Sequence, residues 1–168
     1  MAGPAFNASD EIDRRFMAAA IRLSRRHLGL TGTNPSVATL IVRDDGEGPV
    51  IVGSGVTAIG GRPHAEPQAL KEAGVLAHGA TAYVTLEPCA HHGRTPPCAE
   101  ALVAAGVARV VGAASDPDER VSGKGYAVLH KAGIEVTEGV LAEEAVDQMA
   151  GYLMRTSRKR PEVTAKLA

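Results

Sequence analysis

Residues 80–114 read ATAYVTLEPCAHHGRTPPCAEALVAAGVARVVGAA. Two apolar β-type runs, Ala80–Leu86 and Arg109–Ala114, flank a stretch whose last part, Ala99–Ala105, has helical spacing. Strand, helix, strand in that order predicts parallel pairing, because a parallel neighbour is reached only through a long crossover on one face of the sheet. The same rhythm runs on with a helix over Gly125–Ala132, a strand over Ile134–Val140 and a last helix from about Ala142 to Arg155. Toward the N-terminus it changes. Val37–Val42 and Val50–Val56 are short apolar runs separated by Asp44-Asp45-Gly46, a turn signal, which predicts an antiparallel hairpin. Before the hairpin, Ser9 and Asp10 are helix caps for Ile12, Phe16, Ala19, Ala20 and Leu23, with Gly29 as the stop. After it, Ala65–Ala73 is helical, and Pro67 is tolerated because the first turn has no intrahelical amide bond to lose. The expected fold class is α/β: a three-layer α/β/α domain around a mixed five-stranded sheet.

The composition suits such a domain. The 168 residues are 45% apolar and 22% charged, with 18 Lys and Arg against 19 Asp and Glu. A net charge near zero gives no electrostatic footprint for nucleic acid or an anionic membrane. Three Tyr, two Phe and no Trp argue against a base-stacking platform. No run approaches the roughly 18 apolar residues of a membrane span, and residues 1–13 lack the basic and apolar regions of a secretory signal. The expected location is cytoplasmic, where a pair of cysteines, here Cys89 and Cys98, more often serves a metal or catalysis than a disulfide.

Two segments carry the chemistry. His64-Ala65-Glu66 opens one predicted helix. Glu87-Pro88-Cys89 follows a predicted strand and, after eight intervening residues, Cys98 opens another helix. One imidazole and two thiolates are suited to zinc, and three protein ligands leave a fourth position for water. Helix N-termini favour thiolate over thiol. Glu66, two residues past His64, is placed to exchange protons without being a ligand. Zinc makes a water acidic enough to attack at neutral pH, and a carboxyl group in a dry pocket can relay its proton to a ring nitrogen and then to departing ammonia. His-x-Glu with Pro-Cys is the combination of the zinc deaminases. The competing interpretation is a closed structural zinc site with His91 or His92 as fourth ligand. The chain is long enough to fold without a metal, and such a site has no use for the extra carboxylate.

The run Thr85–Cys98, TLEPCAHHGRTPPC, resembles the zinc motif of the riboflavin-biosynthesis pyrimidine deaminases, the N-terminal half of the bifunctional diaminohydroxyphosphoribosylaminopyrimidine deaminase/reductases. Its long gap between cysteines differs from the Pro-Cys-x-x-Cys usual in cytidine and tRNA-adenosine deaminases. The resemblance extends through Thr33-Asn34-Pro35-Ser36-Val37, His64-Ala65-Glu66, Asp116-Pro117, Gly123-Lys124-Gly125 and Ala132-Gly133-Ile134. It implies the cytidine-deaminase-like fold and the conversion of 2,5-diamino-6-(5-phosphoribosylamino)pyrimidin-4(3H)-one to 5-amino-6-(5-phosphoribosylamino)uracil and ammonia. It implies one zinc on His64, Cys89 and Cys98, Glu66 as the proton shuttle, and substrate contacts at Asn34, His91, Arg94, Asp116 and Lys124. A phosphoribosyl group calls for cationic donors, which Arg94 and Lys124 supply.

The chain departs from the family pattern at Thr33 and Ala38, where Pro and Gly are usual, at Thr57, which takes the place of a His, and at Asp118 and Glu119 in an Asp-Pro-Asn-Pro run. These bear on ribose and phosphate binding, since carboxylates near a phosphate are unfavourable. Residues 1–154 are expected to form the deaminase domain. Residues 155–168, basic and then resembling the opening strand of the reductase half, are expected to be a linker and the first strand of a reductase domain absent from this polypeptide, together with its nicotinamide cofactor. Expected partners are a small-molecule pyrimidine ribophosphate, a second copy of the chain in a homo-oligomer, and a separate or missing reductase, with no nucleic acid and no membrane. The other functions to weigh are a cytosine, guanine or tRNA-adenosine deaminase of the same fold and a non-catalytic zinc module. The cysteine spacing and charge balance speak against the tRNA enzyme, and Glu66 speaks against the module.

Overall fold

The structure, a computed structural model, describes residues 8–93, 96–117, 122–163 and 165–166. Its strands are β1 (Ala38–Arg43), β2 (Val50–Val56), β3 (Thr81–Leu86), β4 (Arg109–Ala114) and β5 (Glu135–Thr137), in the spatial order β2-β1-β3-β4-β5. β1 runs antiparallel to both β2 and β3, whereas β3, β4 and β5 are parallel. The helices are α1 (Ala8–Ser24), α2 (Ala65–Ala73), α3 (Cys98–Ala104), α4 (Lys124–Lys131), α5 (Ala142–Gln148) and α6 (Ala150–Arg158). α1 and α5 pack on one face of the sheet, and α2, α3 and α4 form the layer on the other. The mixed five-stranded α/β/α arrangement is the one the strand–helix rhythm predicts. β3 and β4 are buried from their second residue to their last, as expected for strands covered on both faces.

Two elements differ from the periodicity. β5 is only three residues long, because the chain leaves the sheet at Gly139 (φ 80°), after which the Val140 N–H donates to the Gly112 carbonyl. The last helix is not continuous. It breaks at buried Met149 (φ −104°, ψ 17°) into α5 and α6. Apolar spacing cannot register such a break, since both halves keep helical periodicity. α6 runs to Arg158, so the expected boundary at residue 154 falls inside it. Residues 161–163 and 165–166 form neither helix nor strand.

The predicted hairpin is present. Asp44 Oδ1 accepts the N–H groups of Gly46 (2.9 Å) and Gly48 (3.2 Å), both in the left-handed region, and so supplies a turn bond from its own side chain. On the other side of β2, packing is unusually close. Ala65, Ala69 and Ala73 form one buried stripe of α2. The stripe lies so near β2 that a Cβ on Gly53 would strike the Ala69 carbonyl, and one on Gly55 the Ala65 carbonyl. Small residues on both elements let helix and strand backbones touch, which fixes the height of the α2 N-terminus above the sheet.

On the α1 face a polar cluster ties four elements together. Buried Asp13 accepts a hydrogen bond from Tyr83 (2.9 Å) and a bidentate pair from Arg109 (2.8 and 2.7 Å). Arg109 also donates to Thr137 (2.8 Å) and Glu135 (3.0 Å) on β5. The bond to Asp13 raises the Arg109 pKa, and burial raises that of the Tyr83 hydroxyl. Among the described residues no helix is long and apolar enough to cross a membrane.

Overpacking a tight contact costs about 1–3 kcal/mol, so Gly55→Ala should lower unfolding stability by at least that much, read in urea titrations. It should also weaken metal retention, because α2 carries His64 and Glu66; a variant with native stability would show that the helix can shift freely on β2.

Candidate active site

Backbone conformation places each donor. His64 is the extended N-cap residue of α2 (φ −67°, ψ 171°) and Glu66 lies in the first turn. Cys98 is the first residue of α3, where Pro97 ends the preceding loop. Cys89 follows the end of β3, with Pro88 before it. One ligand atom from each of His64, Cys89 and Cys98 lies within 4.8 Å of the others. His64 Nδ1 is 3.4 Å from the Cys98 sulfur and 3.8 Å from that of Cys89. Cys89 Sγ also accepts the Cys98 backbone N–H at 3.3 Å, so the amides of the α3 N-terminus stabilise its negative charge.

The charges follow. The Cys98 thiol donates to Cys89 and, together with His64, pushes the Cys89 pKa down to about 4 against the effect of burial. Cys98 is correspondingly raised, first by that same bond and then by burial. His64 is raised by its bond to Cys89. A thiolate, a second thiol beside it and an imidazole converging on one point are a donor set that fits zinc. Among the described residues no fourth protein donor joins them. His92 is turned to solvent, with Nε2 3.1 Å from Glu100, and His91 is absent from the converging group. Glu66 is fully enclosed beside the cluster, and burial is the main cause raising its carboxyl pKa.

A cavity of about 310 Å³ opens over these residues, walled by His64, Glu66 and Cys89 and also by Asn34, His91 and Asp116. Thus three of the residues expected to contact substrate share its wall. Lys124 is not on it, and Arg94, with Asp118 and Glu119, lies outside the described residues. Asn34 spends its amide N–H on the Gly61 carbonyl (2.7 Å), holding its loop against the one that leads to His64. His91 Nδ1 is buried with no hydrogen-bond partner among the described residues, a group that a ligand in the cavity could satisfy.

Three wall residues were not anticipated. Arg62 is the single Lys or Arg on the described wall, and nothing in its spacing from His64 marks it. Tyr152 arrives from α6, far along the chain, and donates to Asp116 (3.1 and 3.2 Å). Glu87 belongs to the Glu-Pro-Cys run, and its carboxylate is buried. It accepts the N–H groups of Gly123 and Gly125, each at 3.0 Å, at the start of α4. Burial raises its pKa, and those amides oppose the rise. The Gly123-Lys124-Gly125 run therefore receives Glu87, and Gly125 is required because a Cβ there would collide with the Pro88 carbonyl.

A mixed α/β/α sheet with a His-Cys-Cys centre and a buried glutamate at two helix N-termini defines a zinc-binding deaminase of the cytidine-deaminase-like fold. Residues 10–114 match the cytidine and deoxycytidylate deaminase zinc-binding region, and the chain belongs to that family. It is 50% identical over 155 residues to the riboflavin biosynthesis protein RibD of Escherichia coli, which covers 92% of this chain and 41% of that protein. Among solved structures it is similar to Acinetobacter baumannii RibD (TM-score 0.83, 49% identity, 89% of this chain and 41% of that one). It is also similar to a diaminohydroxyphosphoribosylaminopyrimidine deaminase/5-amino-6-(5-phosphoribosylamino)uracil reductase of Thermotoga maritima (TM-score 0.82, 37% identity, 91% and 43%). The chain thus spans about two fifths of the length of these relatives.

Metal analysis should find a single zinc per chain. Because the buried core is built from β1, β3, β4 and the helices packed on them, with the metal donors outside that cluster, a chelator should remove zinc while leaving far-ultraviolet circular dichroism and cooperative unfolding in place. Collapse on chelation would mark a structural site.

Proposed function

We propose that this chain is the pyrimidine deaminase of riboflavin biosynthesis, converting 2,5-diamino-6-(5-phosphoribosylamino)pyrimidin-4(3H)-one and water to 5-amino-6-(5-phosphoribosylamino)uracil and ammonia. The observation that carries it is the convergence of the His64, Cys89 and Cys98 donors beside a cavity that His64, Cys89 and buried Glu66 line, in a chain half identical to a RibD protein. The proposed ligands are those three side chains. Zinc held there supplies a Lewis acid that makes an attacking water acidic near neutral pH.

Glu66 performs the proton transfers. Its carboxylate takes a proton from the attacking water as the C–O bond forms at the amino-bearing carbon, and passes it to the adjacent ring nitrogen. It then carries the water's second proton to the departing amino group as the C–N bond breaks, releasing ammonia. Burial favours the protonated carboxyl, which is the form that donates to the leaving group. The raised pKa places the exchange nearer neutrality than an exposed glutamate would. Asn34, His91 and Asp116 contact the substrate from the wall they share. Arg94, midway between the cysteines, takes the phosphate, and Lys124 is its alternative. The deaminase unit expected over residues 1–154 extends through α6 to Arg158, and the residues that follow are a linker toward a reductase domain. The setting is cytoplasmic, and the protein partners are a second copy of the chain and a reductase.

The direct test is ammonia release from the diaminopyrimidine ribophosphate, run beside cytosine, guanine and a tRNA anticodon stem-loop; turnover of one of the latter three in its place would overturn the assignment. General acid–base groups contribute about 10²–10⁴-fold, so Glu66→Gln should keep zinc and lose turnover by roughly that factor. A near-native rate would place the proton relay elsewhere. Charge-assisted bonds to phosphate are worth about ten- to a hundredfold in affinity. Arg94→Ala should therefore raise KM for the phosphorylated substrate and leave that for its dephosphorylated form nearly unchanged. Equal losses on both would assign Arg94 to loop structure.

A further inference from the structure

We propose that Tyr152, on the C-terminal helix α6, is a positioning residue of the deaminase pocket, its hydroxyl holding the Asp116 carboxylate in place to receive a donor group of the substrate. The proposal rests on the functional assignment above. Both residues wall the cavity that His64 and Glu66 share. The Tyr152 hydroxyl lies 3.1 Å from Oδ1 and 3.2 Å from Oδ2 of Asp116, a bond shared between the two oxygens. Asp116 is 7% exposed, so bulk water does little to satisfy its carboxylate, and its backbone N–H is already committed to Glu87.

A carboxylate offers about four acceptor positions and one hydroxyl proton serves one of them. Carboxylate oxygen turned to the cavity suits amino or hydroxyl donors, both of which an aminopyrimidine riboside carries. Nothing else about α6 is needed for a metal site, yet the helix is fastened to the pocket at a second point. The Arg155 guanidinium lies 5.7 Å from the centroid of the Tyr152 ring and donates to the carbonyl of Thr33, beside Asn34, which also lines the cavity. The break at Met149 separates α6 from α5 and so from the helix packed on the sheet. α6 thus touches the cavity lining both at Asp116 and beside Asn34, and its tyrosine hydroxyl reaches a wall carboxylate.

Tyr152→Phe removes the hydroxyl and keeps the ring under Arg155. Loss of a hydrogen bond to a charged group corresponds to about a tenfold change. In the zinc-loaded protein, Tyr152→Phe should raise KM for the diaminopyrimidine ribophosphate about tenfold, with kcat within about twofold, zinc content unchanged and cooperative unfolding retained. Asp116→Asn should raise KM by at least as much. Adding Tyr152→Phe to it should change KM less than twofold, since the two substitutions then remove one shared interaction. The proposal is overturned by a native KM in Tyr152→Phe, by KM losses that multiply in the double variant, or by a fall in kcat together with melting temperature. A wild-type protein that releases no ammonia from this substrate overturns the functional assignment and the positioning role with it. An active wild type indifferent to Tyr152→Phe overturns the positioning role alone.

Discussion

The Glu87 carboxylate is buried where β3 ends, and its two oxygens accept the amides of Gly123 and Gly125 at the start of α4. Its own N–H donates to the Ala114 carbonyl at the end of β4 (2.9 Å). A buried carboxylate is costly unless its acceptor positions are met. Here that requirement is met by backbone amides at a helix N-terminus, where negative charge is favoured. Glu87 therefore locks the ends of β3 and β4 to α4. The next two residues are Pro88, whose carbonyl sits against Gly125, and the donor Cys89. The wall of the site depends on this anchor. A side chain that failed to hold α4 would release the turn from which Cys89 reaches toward His64 and Cys98.

The second half of the site is set by steric contact. α2 sits on β2 with only glycine beneath its alanine stripe, so the positions of His64 and Glu66 follow from backbone-to-backbone distance. Helix packing through larger side chains tolerates small shifts, whereas touching backbones do not. Three donors held on two helix starts and one strand end need that stiffness, because a metal centre accepts little error in ligand position. At the α1 face, Asp13 joins Tyr83 on β3 to Arg109 on β4, and Arg109 reaches β5. The parallel half of the sheet is thus cross-linked away from the cavity.

Two departures from the family pattern, Thr57 and Ala38, fall into place as packing. Thr57 lines the cavity, but its hydroxyl accepts the Val37 N–H (3.0 Å) while its own N–H donates to the Val37 carbonyl (2.9 Å). It latches the end of β2 to the approach to β1 where the family usually has a histidine. Ala38 is fully buried, and its N–H donates to Thr85 Oγ1 on β3 (3.1 Å). Its methyl group is absorbed by the core, with no effect on the metal donors.

The order of strands and helices, the hairpin and the alternation that forces parallel pairing were legible in the sequence because they depend on local periodicity and turn chemistry. The converging donors were legible for a related reason. His64, Glu66 and Cys98 sit at helix starts and Cys89 just past a strand end, so short motifs fix their local geometry. Asn34 and Asp116 were pointed to by resemblance, and the fold brings both to the cavity wall. Only the tertiary structure decided that Glu87 serves α4, that Lys124 stays off the wall, and that α6 breaks from α5 to bring Tyr152 onto Asp116. Those outcomes rest on contacts between residues far apart in the chain. Their partners are selected by packing after the elements form, and no periodicity or spacing within a segment encodes them.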